Sequence, residues 1–240
     1  MSPSLEGGPE DLLRDLRAAF RHTLVSHPDL ESVLVQAWDS FEGNVAIQSE
    51  GQAPIACHKG CPSCCSLRVG ATTPEVLLIA AYLRATGTAL HQHGIDLVQA
   101  LRDADSRTRG LDENARVALR EACPFIVQGV CFIHRVRPLA CRGHASHDKP
   151  ACIEAAAGLR DEVPFSGAHR TVRVVVQTAL QAALRAEERA WGMHELNHAT
   201  VLALDLPDAR AEWERGGDPL AAAAIDSDQR QAMGEWLDQW

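Results

Sequence analysis

Four thiols lie within nine residues of this 240-residue chain, at Cys57, Cys61, Cys64 and Cys65. The remaining four cysteines follow at Cys123, Cys131, Cys141 and Cys152, and the long flanks on either side contain none. The thiolate form of cysteine is a metal ligand, and four thiolates can enclose one zinc ion or one iron–sulfur cluster. We therefore interpret all eight cysteines as metal ligands, and we expect the early and the later group to converge in space.

The first group has the spacing C-x3-C-x2-C, followed directly by a further cysteine. This spacing lets a tight loop wrap a metal, with Gly60 allowing the bend and Pro62 stiffening it. Neighbouring side chains such as those of Cys64 and Cys65 point about 100° apart on a helix and to opposite faces of a strand. They cannot easily hold one small tetrahedral ion together. We expect two sites, or one polynuclear site with spare thiols, and the choice between zinc and iron stays open.

Basic residues near the cysteines could offset the charge of such a centre. Eight thiolates around two dipositive ions would leave a net charge of about −4. The candidates are Lys59, Arg68, Arg135, Arg137 and Arg142, which alternatively only solvate the loops. His144 and His147 lie between the last two cysteines, so they either replace a thiol as ligand or are solvated loop residues.

The combined pattern resembles a known family. It consists of Cys57-x3-Cys61-x2-Cys64-Cys65, Cys123-Pro124-Phe125, Cys131-Phe132-Ile133, Arg137-Pro138 and Cys141-Arg142. The pattern is similar to that of the bacterial YkgJ-like, or CxxCxxCC, cysteine-cluster proteins, over roughly residues 55–155. In this chain the first gap holds three residues instead of two, and His134 stands where an aromatic residue is usual. Glu75 and Cys152 also fit the family pattern. The resemblance implies zinc or iron chelation without a settled reaction.

Three other activities can be weighed from the sequence. A flagellin lysine methylase shares a similar cysteine pattern, which leaves open a cluster-dependent enzyme, either protein methyltransferase-like or redox. The same C-x3-C-x2-C spacing is typical of radical S-adenosylmethionine enzymes, but the chain lacks their alternation of strands and helices. His194-Glu195-x-x-His198 matches the helical H-E-x-x-H pattern of zinc proteases. No spacing marks out a third ligand for it, so packing histidines are the alternative. Whether the protein is an enzyme stays open.

Composition excludes several classes. Hydrophobic residues make up 46% of the chain, which is ample for a packed core, and the formal net charge is −9. No basic stripe is present, so nucleic acid is not an expected partner. Neither a secretory signal nor a membrane-spanning apolar run is evident. We expect a cytoplasmic protein with reduced thiols, in place of the disulfide framework that an even cysteine count would otherwise permit.

The elements that position these residues are predicted to be mostly helical. Residues 1–50 should form an N-terminal helical hairpin, 51–158 the cysteine-cluster domain, and 159–240 a C-terminal helical region packing on it. Within the central part, a strand is expected over 66–69, a helix from Thr73 to Gly87, helices over 89–107 and 112–122, and a hairpin bearing Cys131. The longest helix is expected over 168–190. The predicted fold is mainly α, a helical frame around a small metal centre of loops and a β-hairpin.

Overall fold

A computed structural model describes residues 8–27, 29–58, 60–225 and 227–240. In these ranges the chain is mainly helical with two small antiparallel sheets, so the predicted mainly-α class is confirmed. The helices are α1 (Pro9–Ser26), α2 (Leu30–Gln48), α3 (Thr73–Gln92), α4 (Leu97–Thr108), α5 (Glu113–Leu119), α6 (Leu139–Arg142), α7 (Lys149–Ala156), α8 (Gly167–Ala186), α9 (Leu196–Asp205), α10 (Ala209–Glu214) and α11 (Arg230–Leu237). The strands are β1 (Gly70–Thr72), β2 (Ile126–Val127), β3 (Val130–Cys131) and β4 (Met193–Glu195).

Helix α8 organises one side of the molecule, packing against α1, α2, α6 and α11. Its buried face is made of valine, alanine and leucine at helical spacing, including Val172, Val176 and Leu180. Helix α9 organises the other side, where it packs on α3 and α4. One continuous apolar core contains side chains from all three predicted segments of the chain.

Local sequence signals define where several helices begin. The Asp29 carboxylate caps α2 by accepting a hydrogen bond of 2.7 Å from the Ser32 N–H. Pro74 stands in the first turn of α3, a favoured position because the N–H missing from proline has no partner there. The expected end of α3 at Gly87 is wrong, because the helix continues to Gln92.

The two small sheets carry the segments next to the cysteines. Strand β1 pairs with β4, with Gly70 opposite Glu195, so the strand lies later in the chain than the expected 66–69. Strands β2 and β3 form the predicted hairpin, and Cys131 lies on its second strand opposite Ile126. The hairpin turn uses Gln128 and Gly129, both with positive φ, which suits the right-handed twist of the paired strands. None of the helices in the described ranges is long and apolar enough to cross a membrane.

Candidate functional site

All eight cysteines line a single cavity of about 630 Å³. Each is a free thiol, and Cys57 is the most exposed of them. The early and the later group therefore do converge, as expected from the sequence. Whether the thiols act as metal ligands stays a prediction.

Backbone contacts bring the two groups together. The N–H of Cys123 donates to the carbonyl of Cys65 at 2.6 Å, which joins the early loop to the segment that begins the hairpin. At the other end of the early loop, the Ala56 N–H donates to the Ser146 carbonyl at 2.8 Å. The Ser146 N–H in turn points at the Cys57 sulfur, at 3.4 Å. The early loop is thus held at both ends by the segments that carry the later cysteines.

Gly60 explains why the early loop can turn so tightly against the hairpin. Its φ of 86° lies in the left-handed region, which glycine enters without steric cost. A Cβ at this position would lie 3.5 Å from the Gly129 carbonyl oxygen, so the loop tip touches the hairpin turn. The predicted role of Gly60 in the bend is therefore confirmed.

The thiols influence one another electrostatically. Burial, together with the nearby Cys131 and Cys64, raises the pKa of Cys123 to about 11. Burial likewise raises the pKa of Cys141, with additional repulsion from Cys123, Cys131 and Cys64. A hydrogen bond with Cys65, together with burial, raises the pKa of Cys64. These four thiols, Cys64, Cys123, Cys131 and Cys141, form one neighbouring set.

Cys57 belongs to a second set of thiols, which is also coupled to Cys64. Burial is the main cause that raises its pKa, and the charges of Cys64, Cys61 and Cys152 add to the rise. The sulfur of Cys61 lies 3.6 Å from the Ser63 hydroxyl oxygen. Cys64 therefore borders both sets, and its hydrogen bond with Cys65 brings these two adjacent thiols together, contrary to the different directions expected for them.

The thiols are not arranged as a ready-made ion cage. Among the side chains that the structure describes, no three of Cys, His, Asp and Glu are grouped so that they could hold a metal ion as they stand. The donor set has the right chemistry for zinc or iron, since soft thiolates favour both. To bind an ion, the short cysteine side chains would have to rotate so that their sulfurs point toward a common position.

Glu75 does not line the cavity but holds one of its walls in place. It is almost fully buried, and burial raises its pKa. Its carboxylate accepts hydrogen bonds from the N–H and the hydroxyl of Thr72 at 2.8 and 2.9 Å. It also accepts one of 2.7 Å from the N–H of Leu139, the first residue of α6. Since Cys141 lies in the same short helix, Glu75 ties this cysteine to the start of α3.

The arginines expected near the thiols divide into two kinds. Arg142 does not line the cavity: it donates to Glu42 at 2.7 Å and stacks over Trp38 at 4.4 Å from the ring centre. Arg137 does line it, and donates to the His134 carbonyl at 2.9 Å. Arg68 lines it as well, whereas Arg135 does not. Lys59 lies outside the described residues.

The two candidate loop histidines also differ. His144 lines the cavity, and its ring packs on Phe165 with 4.6 Å between ring centres. Burial and the charge of Arg173 lower its pKa, which favours the neutral imidazole that metals bind. His147 does not line the cavity, and its Nδ1 lies 3.3 Å from the carbonyl oxygen of Pro54.

Several polar residues in the cavity wall were not anticipated from the sequence. They are Arg116, Arg170, Arg173 and Asn197. One signal was available for two of them: Arg170 and Arg173 are three residues apart in α8 and so lie on one face of that helix. Arg116 and Asn197 reach the cavity through tertiary packing, which residue spacing does not reveal.

The H-E-x-x-H residues do not form a zinc-protease helix. His194 lies on β4, and α9 begins only at Leu196. The buried His194 ring places Nε2 at 2.9 Å from the Thr73 hydroxyl, while His198 Nδ1 lies 3.3 Å from Asp105. Glu195 caps α9 by accepting a 2.8 Å hydrogen bond from the His198 N–H. The two histidines thus serve different neighbours, because pairing with β1 keeps residues 193–195 extended.

Comparison of the chain with protein-family models, with curated proteins and with solved structures gives no match. The resemblance described from the sequence therefore depends on the cysteine spacing and its flanking residues alone.

Proposed function

We propose that this protein binds zinc or iron, including iron as an iron–sulfur cluster, through the thiolates of its eight central cysteines, in a structural or metal-handling role. The observation that carries the proposal is that eight free thiols from two separate parts of the chain line one cavity. Cysteines used only for packing have no reason to gather around a common cavity.

The donor chemistry supports a centre with more than one metal ion. One neighbouring set contains Cys64, Cys123, Cys131 and Cys141, with Cys65 hydrogen-bonded to Cys64, so it offers at least the four thiolates that a tetrathiolate site requires. The second set contains Cys57, Cys61 and Cys152, and Cys64 acts on Cys57 as well. Metal binding replaces the protons on these thiols and removes the mutual repulsion that otherwise raises their pKa.

A cluster-dependent enzyme, either methyltransferase-like or redox, is a second candidate. It is favoured by the size of the cavity, because about 630 Å³ falls in the range of small-molecule sites and far exceeds the space that one or two ions need. The polar side chains of Glu195 and Asn197 also line it, away from the cysteine loops in sequence. In this case one coordination position would face the cavity and remain exchangeable.

Anaerobic purification followed by elemental analysis, acid-labile sulfide determination and a visible spectrum tests the proposal. Zinc without colour indicates tetrathiolate zinc, whereas iron, sulfide and broad visible absorption indicate a cluster. We expect more than one metal ion per chain. A metal-free protein whose thiols are all titratable, or one whose thiols are paired as disulfides, would contradict the proposal.

Single substitutions separate the two candidate functions. For a closed site, Cys141→Ser and Cys152→Ser should each reduce the metal content. Val130→Ala is the matched control, because Val130 is an uncharged side chain in the same cavity wall. If one cysteine variant keeps both its metal and its circular dichroism spectrum, the position of that cysteine is the candidate open site of an enzyme.

A further inference from the structure

The cavity wall is rich in positive charge, although the whole chain carries a formal charge of −9. Five guanidinium groups line it, those of Arg68, Arg116, Arg137, Arg170 and Arg173. Glu195 is the one carboxylate among the described residues of the lining. No salt bridge joins any of these five arginines to a described carboxylate, whereas ten other arginines form such pairs. Five of the eleven arginines that lack a salt bridge to a described carboxylate therefore line this one cavity.

Arg116 and Arg137 lie beside the thiols. The charge of Arg116 acts on Cys123, and that of Arg137 acts on Cys131 and Cys141, in each case favouring the thiolate. These two arginines are thus in the right place to offset the negative charge of a thiolate centre.

Arg170 and Arg173 lie on helix α8, one turn apart. Burial and the charge of Arg170 both lower the pKa of Arg173, so the two cations are close enough to repel each other. Like charges held together in a partly buried wall are electrostatically unfavourable, and an anion bound between them would relieve the repulsion.

Two contacts hold the Arg173 side chain in position, one to its aliphatic stem and one to its guanidinium group. Its aliphatic stem packs directly on Gly143, where a Cβ would lie only 2.7 Å from Cγ of the arginine. Its Nη1 donates to the Gln177 side-chain oxygen at 3.2 Å, and Gln177 donates in turn to the Met193 sulfur at 3.4 Å. Met193 also lines the cavity. Arg173 lines the cavity, and its guanidinium makes no other hydrogen bond to the described residues.

Two more arginines of the wall have donors without partners. The Nε atoms of Arg68 and Arg116 are buried and have no hydrogen-bond acceptor among the described residues. Arg116 itself is only 3% exposed. A buried donor without an acceptor is costly, and a ligand oxygen would satisfy it.

We propose that this cavity binds, beside the thiols, a small organic molecule carrying a carboxylate or phosphate group, and that Arg170 and Arg173 form the wall that receives this anion. Planar guanidinium groups match both oxyanions through paired hydrogen bonds. The cavity volume suits a ligand of metabolite size. This proposal goes beyond metal binding, because the two arginines would contact the second ligand and not the metal.

Calorimetric titration of the purified, metal-containing protein with inorganic phosphate and with succinate tests this assignment at low ionic strength. We expect saturable binding of at least one of the two, and the stronger one identifies the type of oxyanion. Arg170→Gln and Arg173→Gln should each weaken binding about tenfold, the effect of losing one charge-assisted contact. Arg215→Gln, which removes an exposed arginine outside the cavity lining, is the matched control and should bind as the wild type does.

The arginines could instead only offset the negative charge of the thiolates. Measuring the metal content of the same samples distinguishes that role from anion binding. If the arginines receive an anion, Arg170→Gln and Arg173→Gln keep their metal and lose anion affinity. Loss of metal with unchanged anion affinity would overturn the assignment, as would the absence of saturable binding of either probe. Arg170 is exposed, so its variant should fold even if that of Arg173 does not.

Discussion

Glu75 is the side chain whose removal should have the largest local effect on the cysteine cavity. Replacing it with alanine removes the acceptor of three hydrogen bonds, which come from the Thr72 N–H, the Thr72 hydroxyl and the Leu139 N–H. Thr72, Glu75 and Leu139 are all essentially buried, so water cannot readily replace the lost acceptor. Each backbone N–H left without an acceptor costs about 1–3 kcal/mol. We expect Glu75→Ala to lower the free energy of unfolding by about 3 kcal/mol.

Glu75→Gln provides the finer test of the same hydrogen bonds. The glutamine amide keeps the shape and one oxygen acceptor, but its NH2 group faces a hydrogen-bond donor. We therefore expect the free energy of unfolding to fall by about 1–2 kcal/mol. Urea unfolding followed by circular dichroism measures both variants. Glu113→Ala is the control, because Glu113 is an exposed carboxylate in the first turn of α5 and should change stability by less than about 0.5 kcal/mol.

A second measurement asks whether Glu75 positions Cys141. Release of the first turn of α6 should make the Cys141 thiol more reactive, which alkylation followed by mass spectrometry detects at the level of single cysteines. A Glu75→Ala protein that is within about 1 kcal/mol of the wild type and has unchanged Cys141 labelling would refute the reasoning.

Two further predictions concern the walls of the cavity. In Gly143→Ala, the new methyl group would collide with the stem of Arg173, so α6 must move from α8; we expect a loss of about 1–3 kcal/mol in thermal or urea unfolding, and an unchanged stability would contradict this contact. No described residue between 51 and 65 is buried, whereas Phe125, Ile133 and Leu139 are anchored in the core. On addition of zinc or iron, hydrogen exchange should therefore slow in the early loop far more than in 125–139; equal slowing in both would contradict this expectation.

The helical frame was accessible from sequence because its signals are local. In α1 the apolar spacing of Leu12, Leu16 and Phe20 describes one buried face, and the structure buries all three. The start of α3 was likewise predictable from Pro74, although the capping residue is Thr72 and not Thr73. Its end was not: glycine in a helix interior costs only about 1 kcal/mol, which the continuing helix overrides at Gly87.

The features that define the cavity wall depend on long-range pairing. Strand β1 lies at 70–72 instead of 66–69 because its partner, β4, is more than a hundred residues away and fixes the register. The same pairing makes residues 193–195 extended, which separates the histidines of the H-E-x-x-H sequence. Arg142 illustrates a further limit. Nearness to Cys141 in the chain suggested a role toward the thiols, but stacking on Trp38 and pairing with Glu42 turn it elsewhere.

Charge balance couples the two ligands proposed for the cavity. Five guanidinium groups and one carboxylate give the wall a charge of about +4 when the thiols are protonated. Each tetrathiolate centre with a dipositive ion adds about −2, so one centre leaves an excess of positive charge and two centres cancel it. An anion is therefore attracted most by a cavity with few metal ions. By linkage, a bound anion lowers the affinity for the last metal ion by the same factor by which that metal ion lowers the affinity for the anion. Arg170 and Arg173 lie on α8 and not on the cysteine-bearing loops, so part of the positive charge of the wall belongs to a separate element, where a second ligand can use it.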